Sequence, residues 1–208
     1  MGDYPESENG VHKGGVQSVT HGLAHAMARR DDIECHVVST IPPKGSVTYR
    51  RAGNLHVHYV RRLPIPRLAS CKLHDVPELV RVVRAINPDV VHGQGQDCHG
   101  LAALRAGFPT VITSHGVTFV ECQALKRHRF DLLGAWKVRT LIGWEREVFA
   151  GANEMIVISR YLPEVYGSML RARTSFIENP ISPSFYSLHR TPVLGRLLFV
   201  GTVVPRKC

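Results

Sequence analysis

Apolar and polar positions along this chain follow two alternating periods. Short, nearly continuous apolar runs stand at residues 33–39 (IECHVVS), 55–60 (LHVHYV), 89–92 (DVVH), 110–114 (TVITS), 154–158 (EMIVI), 174–178 (TSFIE) and 196–201 (RLLFVG). Runs this short and this apolar predict strands covered on both faces. Between them the period becomes helical. Val16, Val19, Leu23, Ala26 and Met27 recur on one side of an amphipathic helix over 15–30. Leu79, Val82, Val83 and Ile86 mark a second, which must stop at Asn87-Pro88 because the residue before proline avoids the α region. Residues 100–106 form a short helix ended by Gly107. Leu132, Leu133, Trp136, Leu141, Trp144 and Val148 place a long helix within 124–150, and 161–170 is another. Strands interleaved with helices predict an α/β fold with a mostly parallel, doubly wound sheet.

Two breaks organise the chain. Residues 45–53 read as a loop between the first two strands. Residues 179–194 contain Pro180, Pro183 and Pro192, show no periodicity, and read as a linker. The run at 196–201 then opens a second unit that the residues after it do not build. The expected division is a domain over 1–190, with 191–208 as the end of the linker and the first strand and loop of another domain.

Composition narrows the classes. Of 208 residues, 44% are hydrophobic and 21% charged, enough to build a core and too apolar for a disordered chain. Lys and Arg total 26 against 17 Asp and Glu, a net charge of +9, which suits an anionic partner without naming one. No apolar run is long enough for a membrane span, and the acidic, polar residues 1–10 do not read as a signal peptide. Five scattered cysteines (Cys35, Cys71, Cys98, Cys122, Cys208), with no CxxC, argue against a disulfide framework and a cysteine zinc site. A reducing, cytoplasmic compartment follows.

Several constellations bear chemistry. Gly14-Gly15-Val16 opens the first helix, where backbone N–H groups can approach an anion; the plainer reading is a glycine turn before a helix. It is neither GxxxxGK[ST] nor GxGxxG. Ser114-His115-Gly116 follows the strand TVITS, at the end where open α/β sheets bind ligands, and a histidine there can hold a ligand or move a proton. His92-Gly93-Gln94-Gly95 ends the preceding strand, and its glycines read as a turn. His56 and His58 alternate on one strand, and His21 and His25 share one helix face. With no third ligand at suitable spacing, both pairs read as solvent-facing rather than metal-binding. Lys126-Arg127-His128-Arg129, with Lys137, Arg139 and nearby Leu125, Phe130 and Trp136, could meet an anionic lipid surface or simply be a solvated face. No nucleic-acid motif accompanies the charge.

In their order, YPESENGVHKGGVQSVTHGLAHAMARR, PDVVHGQGQ, PTVITSHGV, GANEMIVISRYLPEVYG, IENPISPSFY and LLFVGTVVPRKC resemble the family 4 retaining glycosyltransferases of GT-B fold. The resemblance implies two Rossmann-like domains facing a cleft. The first mainly holds the acceptor, and the second mainly holds the nucleotide-sugar donor. It implies that Gly14 and Gly15 approach the donor phosphates, and that His115 lies near the transferred sugar. Lys207 matches a lysine on the donor pyrophosphate, whereas Thr202 stands where an arginine is usual, weakening charge neutralisation of the leaving diphosphate. No metal or other cofactor is expected, and the partners are the nucleotide-sugar and an acceptor glycan or lipid, with an anionic membrane nearby.

The sequence departs from the family pattern at both ends. On the resemblance it holds the N-terminal half of a GT-B fold without its first strand, and lacks the donor domain with its paired glutamates. A missing central strand would leave unpaired backbone groups on its neighbours, each costing roughly 1–3 kcal/mol if buried, so an unstable or aggregation-prone chain is expected. Transfer of a sugar to an acceptor hydroxyl with retention is the first functional reading, with this chain inactive alone. A non-catalytic module for glycans or lipid head groups, or half of a split enzyme, is the second. A sugar-nucleotide epimerase is the third, and SHGV, ISRYL and PRK fit it less well.

Overall fold

The computed structural model describes residues 4–5, 14–46, 48–124, 132–181, 183–189 and 191–198. Helix α1 (Gly15–Met27) leads into strands β1 (Cys35–Ile41), β2 (Tyr49–Ala52) and β3 (Leu55–Arg61). A continuous helical stretch follows, made of α2 (Arg67–Ser70), a π-helical turn (Cys71–Asp75) and α3 (Val76–Ile86). Then come β4 (Val91–Gln94), α4 (Cys98–Ala106), β5 (Thr110–Ser114), α5 (Thr118–Ala124), α6 (Leu132–Gly151), β6 (Glu154–Val157), α7 (Tyr161–Tyr166) and β7 (Arg173–Phe176).

The α/β alternation and the parallel pairing are both present. Strands β4-β5-β6-β7 lie in that order, all parallel. Strands β1 and β3 also pair in parallel. The element that periodicity missed is β2, inside the expected loop 45–53. YRRA carries no apolar run, and forms a strand only because it folds back antiparallel on β3.

The described strands make two sheets rather than one. β1 is the edge of a three-stranded sheet ordered β1-β3-β2, and β4 is the edge of the four-stranded sheet. Both edges share one core: Val38 of β1 and Val91 of β4 pack against a cluster that includes Cys71, Val76, Leu79, Leu101 and Ile112. Helix α3 bridges the halves, packing on β1, β3 and α4.

Alternation along β1 and β3 divides their faces. Val37 and Ile41, with Leu55, Val57 and Tyr59, face Ala24 of α1. Val38 and Val60 face the core of α3. His36, His56 and His58 belong to that second face by their even positions, nearer the amino ends of the strands.

Helix ends follow their local chemistry. α3 closes on Asn87 in the left-handed conformation (φ 55, ψ 58) immediately before Pro88. Asp97 caps α4, accepting from the His99 amide at 3.0 Å. The HGQG glycines serve the fold. Gly95 has φ 103, and a Cβ on Gly100 would meet the Gly95 carbonyl oxygen at 2.4 Å. α4 can therefore sit hard against the end of β4 only if position 100 has no side chain.

Three expectations shift. The long helix begins at Leu132; residues 125–131, including the basic run at 126–129, lie outside the described residues. Residues 196–198 have no regular structure, and the rest of the expected strand at 196–201 lies outside the described residues. His56 is not solvent-facing: it is 7% exposed, because the His36 ring stacks on it at 4.6 Å.

Candidate functional site

The carboxyl ends of β5 and β6 open into neighbouring loops. His115 and Gly116 follow β5, and Ile158, Ser159, Tyr161 and Leu162 follow β6. Together they line an open groove of about 270 Å³, with Val117, Val120 and Glu121 at the start of α5. That volume lies just below the usual range of small-molecule clefts, so it is room for part of a ligand with the remainder outside.

Buried polar side chains hold the β5 loop from beneath. Glu145 of α6 is 1% exposed. Its Oε1 accepts from the Thr118 amide at 3.0 Å and from Gln96 Nε2 at 3.3 Å. Gln96 Nε2 also donates to the Gly116 carbonyl at 2.7 Å. Ser114 Oγ lies 3.2 Å from both Gln96 Oε1 and the Gly116 carbonyl. Three elements (the end of β4, the end of β5 and the middle of α6) thus fix one short turn. Buried networks of this kind rigidify when satisfied.

His115 projects from that turn. Its Nε2 lies 2.7 Å from Gln94 Oε1. An amide oxygen can only accept, so Nε2 carries the proton and Nδ1 is left as the acceptor. Gln94 Nε2 lies 3.1 Å from His92 Nε2, and Thr113 Oγ1 lies 2.6 Å from the same nitrogen. Burial, with His92 beside it, pushes the His115 imidazole down to about 4. At neutral pH it is an uncharged ring offering one lone pair, suited to a hydroxyl donor rather than to a phosphate.

The start of α1 offers backbone N–H groups instead of side chains. Gly14, the N-cap, is extended (φ −177, ψ 161) and supplies no side-chain cap. Among the described residues, no heavy atom lies within 4 Å of where a Cβ would stand on Gly14 or Gly15, unlike Gly100. Tyr4 N donates to Ser39 Oγ at 3.0 Å, and the Tyr4 ring stacks on His21 at 5.6 Å. These contacts lay α1 along β1, with its N-terminus, the positive end of the helix dipole, toward the carboxyl end of that strand.

The sequence profile of Glycosyltransferase Family 4 matches residues 13–185. The chain belongs to Glycosyltransferase Family 4. No curated protein matches it in sequence. Among solved structures it is similar to a sucrose-phosphate synthase from Thermosynechococcus elongatus, with a TM-score of 0.62 at 16% identity. The match covers 79% of this chain and 42% of that one, so the chain spans less than half of that structure. Its fold is Rossmann-like and corresponds to one half of a GT-B glycosyltransferase.

On this family frame, Gly14, Gly15 and His115 lie at carboxyl strand ends, the first two beyond β1 and the third beyond β5. Lys207 and Thr202 lie outside the described residues. Sequence reasoning missed Gln94, Gln96 and Glu145. For Glu145 a signal existed: it occupies the apolar stripe of α6 with Leu141 and Val148, and a carboxylate on such a stripe needs a buried partner. Gln94 and Gln96 gave no such signal, because their partners come from the next strand.

Proposed function

We propose that this chain is the acceptor-side half of a retaining glycosyltransferase that moves a sugar from a nucleotide-sugar to an acceptor hydroxyl. The observation that carries the reading is the neutral, oriented imidazole of His115 at the groove beyond β5 and β6. It would accept a hydrogen bond from a sugar hydroxyl through Nδ1, while the start of α1 at Gly14-Gly15 would receive the donor phosphates. Lys207, from the resemblance, would neutralise the leaving diphosphate. No metal is required by this scheme. Because the donor side would supply the facing wall of the cleft, the chain by itself is expected to bind glycan without turning it over. Supplying the donor side separates an enzyme half from a free-standing binding module, since only the former regains transfer.

The test is a titration of the purified chain with glycan acceptors and nucleotide-sugars, followed by isothermal calorimetry and by a transfer assay. Acceptor affinity should fall about tenfold in His115→Ala, the loss of one hydrogen bond. Gly15→Ala should leave acceptor binding and stability unchanged and impair transfer only in the assembled enzyme. Equal acceptor affinity in wild type and His115→Ala would remove His115 from the site.

A second reading concerns location. Leu132, Leu133 and Trp136 at the start of α6 are 83%, 81% and 51% exposed. Leu133, Trp136 and Lys137 stand at i, i+3 and i+4, so apolar and basic side chains share one helix face. This arrangement suits an anionic bilayer surface, where a lipid-linked acceptor would be found. No described helix is long and apolar enough to cross a membrane. Co-sedimentation with phosphatidylserine vesicles should exceed that with neutral vesicles, and Leu133→Glu with Trp136→Glu should abolish the difference. No preference for the anionic vesicles would remove the surface from the scheme.

A further inference from the structure

The amino end of the β1–β3 pair, far from the groove, gathers four titratable side chains. Parallel register sets His36 directly across from His56, and Val38 across from His58. Glu34 precedes β1 and turns back over the pair. Its Oε1 lies 3.3 Å from His36 Nε2 and 3.2 Å from His56 Nε2. One donor atom from each of Glu34, His36 and His56 falls within 4.8 Å of the others.

From these positions we infer a binding site for a divalent transition-metal ion, of the zinc class, held by Glu34 Oε1, His36 Nε2 and His56 Nε2. The two distances from the carboxylate to the imidazoles are those of a coordination shell. Ligands bound at 2.0–2.2 Å around a tetrahedral Zn²⁺ stand about 3.3 Å from one another. Two imidazoles and one carboxylate form a borderline donor set suited to Zn²⁺ and its neighbours in the first transition row. Glu34 is 67% exposed on its side chain, leaving a path for the ion and a fourth position for water, while the His56 side chain is 9% exposed and supplies the rigid floor.

Outer contacts support the two histidines. Metal-ligating histidines usually donate their second ring N–H to a fixed acceptor, which sets tautomer and orientation. Here Tyr49 Oη stands 2.8 Å from His56 Nδ1, and His58 Nε2 stands 3.1 Å from His36 Nδ1. The His36 and His56 rings are stacked 8° from parallel, so binding one ion requires a tilt that brings their Nε2 lone pairs together. Without metal, the Nε2 protons of both rings would face Glu34. With metal, each ring gives its Nε2 lone pair to the ion and carries its proton on Nδ1, donated to Tyr49 or to His58. His58 shifts to its Nδ1–H tautomer, so no net proton is released. The other described cluster, Asp97, Cys98 and His99, is accounted for by the helix cap of α4.

The twelve residues between His36 and the β2–β3 hairpin, which starts at Tyr49, hide this site from inspection of the sequence alone, because its ligands come from two strands and the segment before one of them. The experiment is calorimetric titration of the full chain with Zn²⁺ alone. One ion per chain is expected. Affinity should fall roughly 100-fold in His56→Gln, and about tenfold in Tyr49→Phe, which keeps all three ligands and removes only an outer contact. His25→Ala should change nothing. Absence of stoichiometric binding, or binding equally tight in His36→Asn and His56→Gln, would overturn the assignment. Should those variants fail to fold, imidazole NMR of the unaltered chain decides it. Zn²⁺ must shift the Nε2 resonances of His36 and His56, and shifts confined to other histidines refute the site.

Discussion

Replacing Glu145 by leucine should destabilise the chain by about 2 kcal/mol, because the Thr118 amide is left without its acceptor at roughly 1–3 kcal/mol, while Gln96 Nε2 keeps the Gly116 carbonyl and Thr118 Oγ1. The carboxylate is 1% exposed and accepts from the Thr118 amide and from Gln96. Leucine has similar bulk, so no cavity forms and the loss isolates the polar contribution. Whole-domain stability is only about 5–15 kcal/mol, and for a chain of this size the change corresponds to a fall in Tm of roughly 4–8 °C. Glu145→Gln keeps one carbonyl oxygen at the same place and should lose less than about 1 kcal/mol. Urea denaturation of the three proteins measures both differences. If leucine proves as stable as glutamine, the turn that carries His115 is held by the Ser114 and Gln96 contacts to Gly116 alone, and α6 has no part in positioning the histidine.

Glu145 also marks the limit of what periodicity reveals. Strands whose apolar runs are continuous, such as TVITS and EMIVI, were legible because both faces are covered and every position is constrained. The helix end at Asn87-Pro88 was legible because proline restricts its neighbour whatever the surroundings. β2 was not, since YRRA becomes a strand through its backbone bonds to β3, which no local pattern records. The same reason hid the partnership of His36 with His56. Sequence spacing shows residues two apart on one strand, but parallel register joins residues 20 apart across two strands. Site positions divide similarly. His115 was legible as the residue after a buried strand, whereas its orientation depends on Gln94, 21 residues earlier and on another strand.

The dependence of stability on pH should carry the signature of His115. Its imidazole sits at about 4 in the folded chain, against about 6.5 when unfolded. Below pH 6.5 the unfolded chain takes up a proton that the folded chain refuses, so folding weakens as pH falls. The loss accumulates between pH 6.5 and 4 and levels off beneath, reaching about 3 kcal/mol at the lower end. Burial likewise holds His92 and His58 below the ordinary imidazole range, giving slopes of the same sign. The diagnostic quantity is therefore the difference between wild type and His115→Ala. Urea denaturation at intervals across this window should give a flatter profile for the variant, by about 3 kcal/mol between the two ends. The variant also loses its bond to Gln94, but that offset is common to every pH above the window and does not alter the slope. Parallel profiles would mean that His115 titrates as freely in the fold as outside it. It would then be a cation below pH 6.5, able to attract a phosphate, and its role as a neutral acceptor for a sugar hydroxyl would fail.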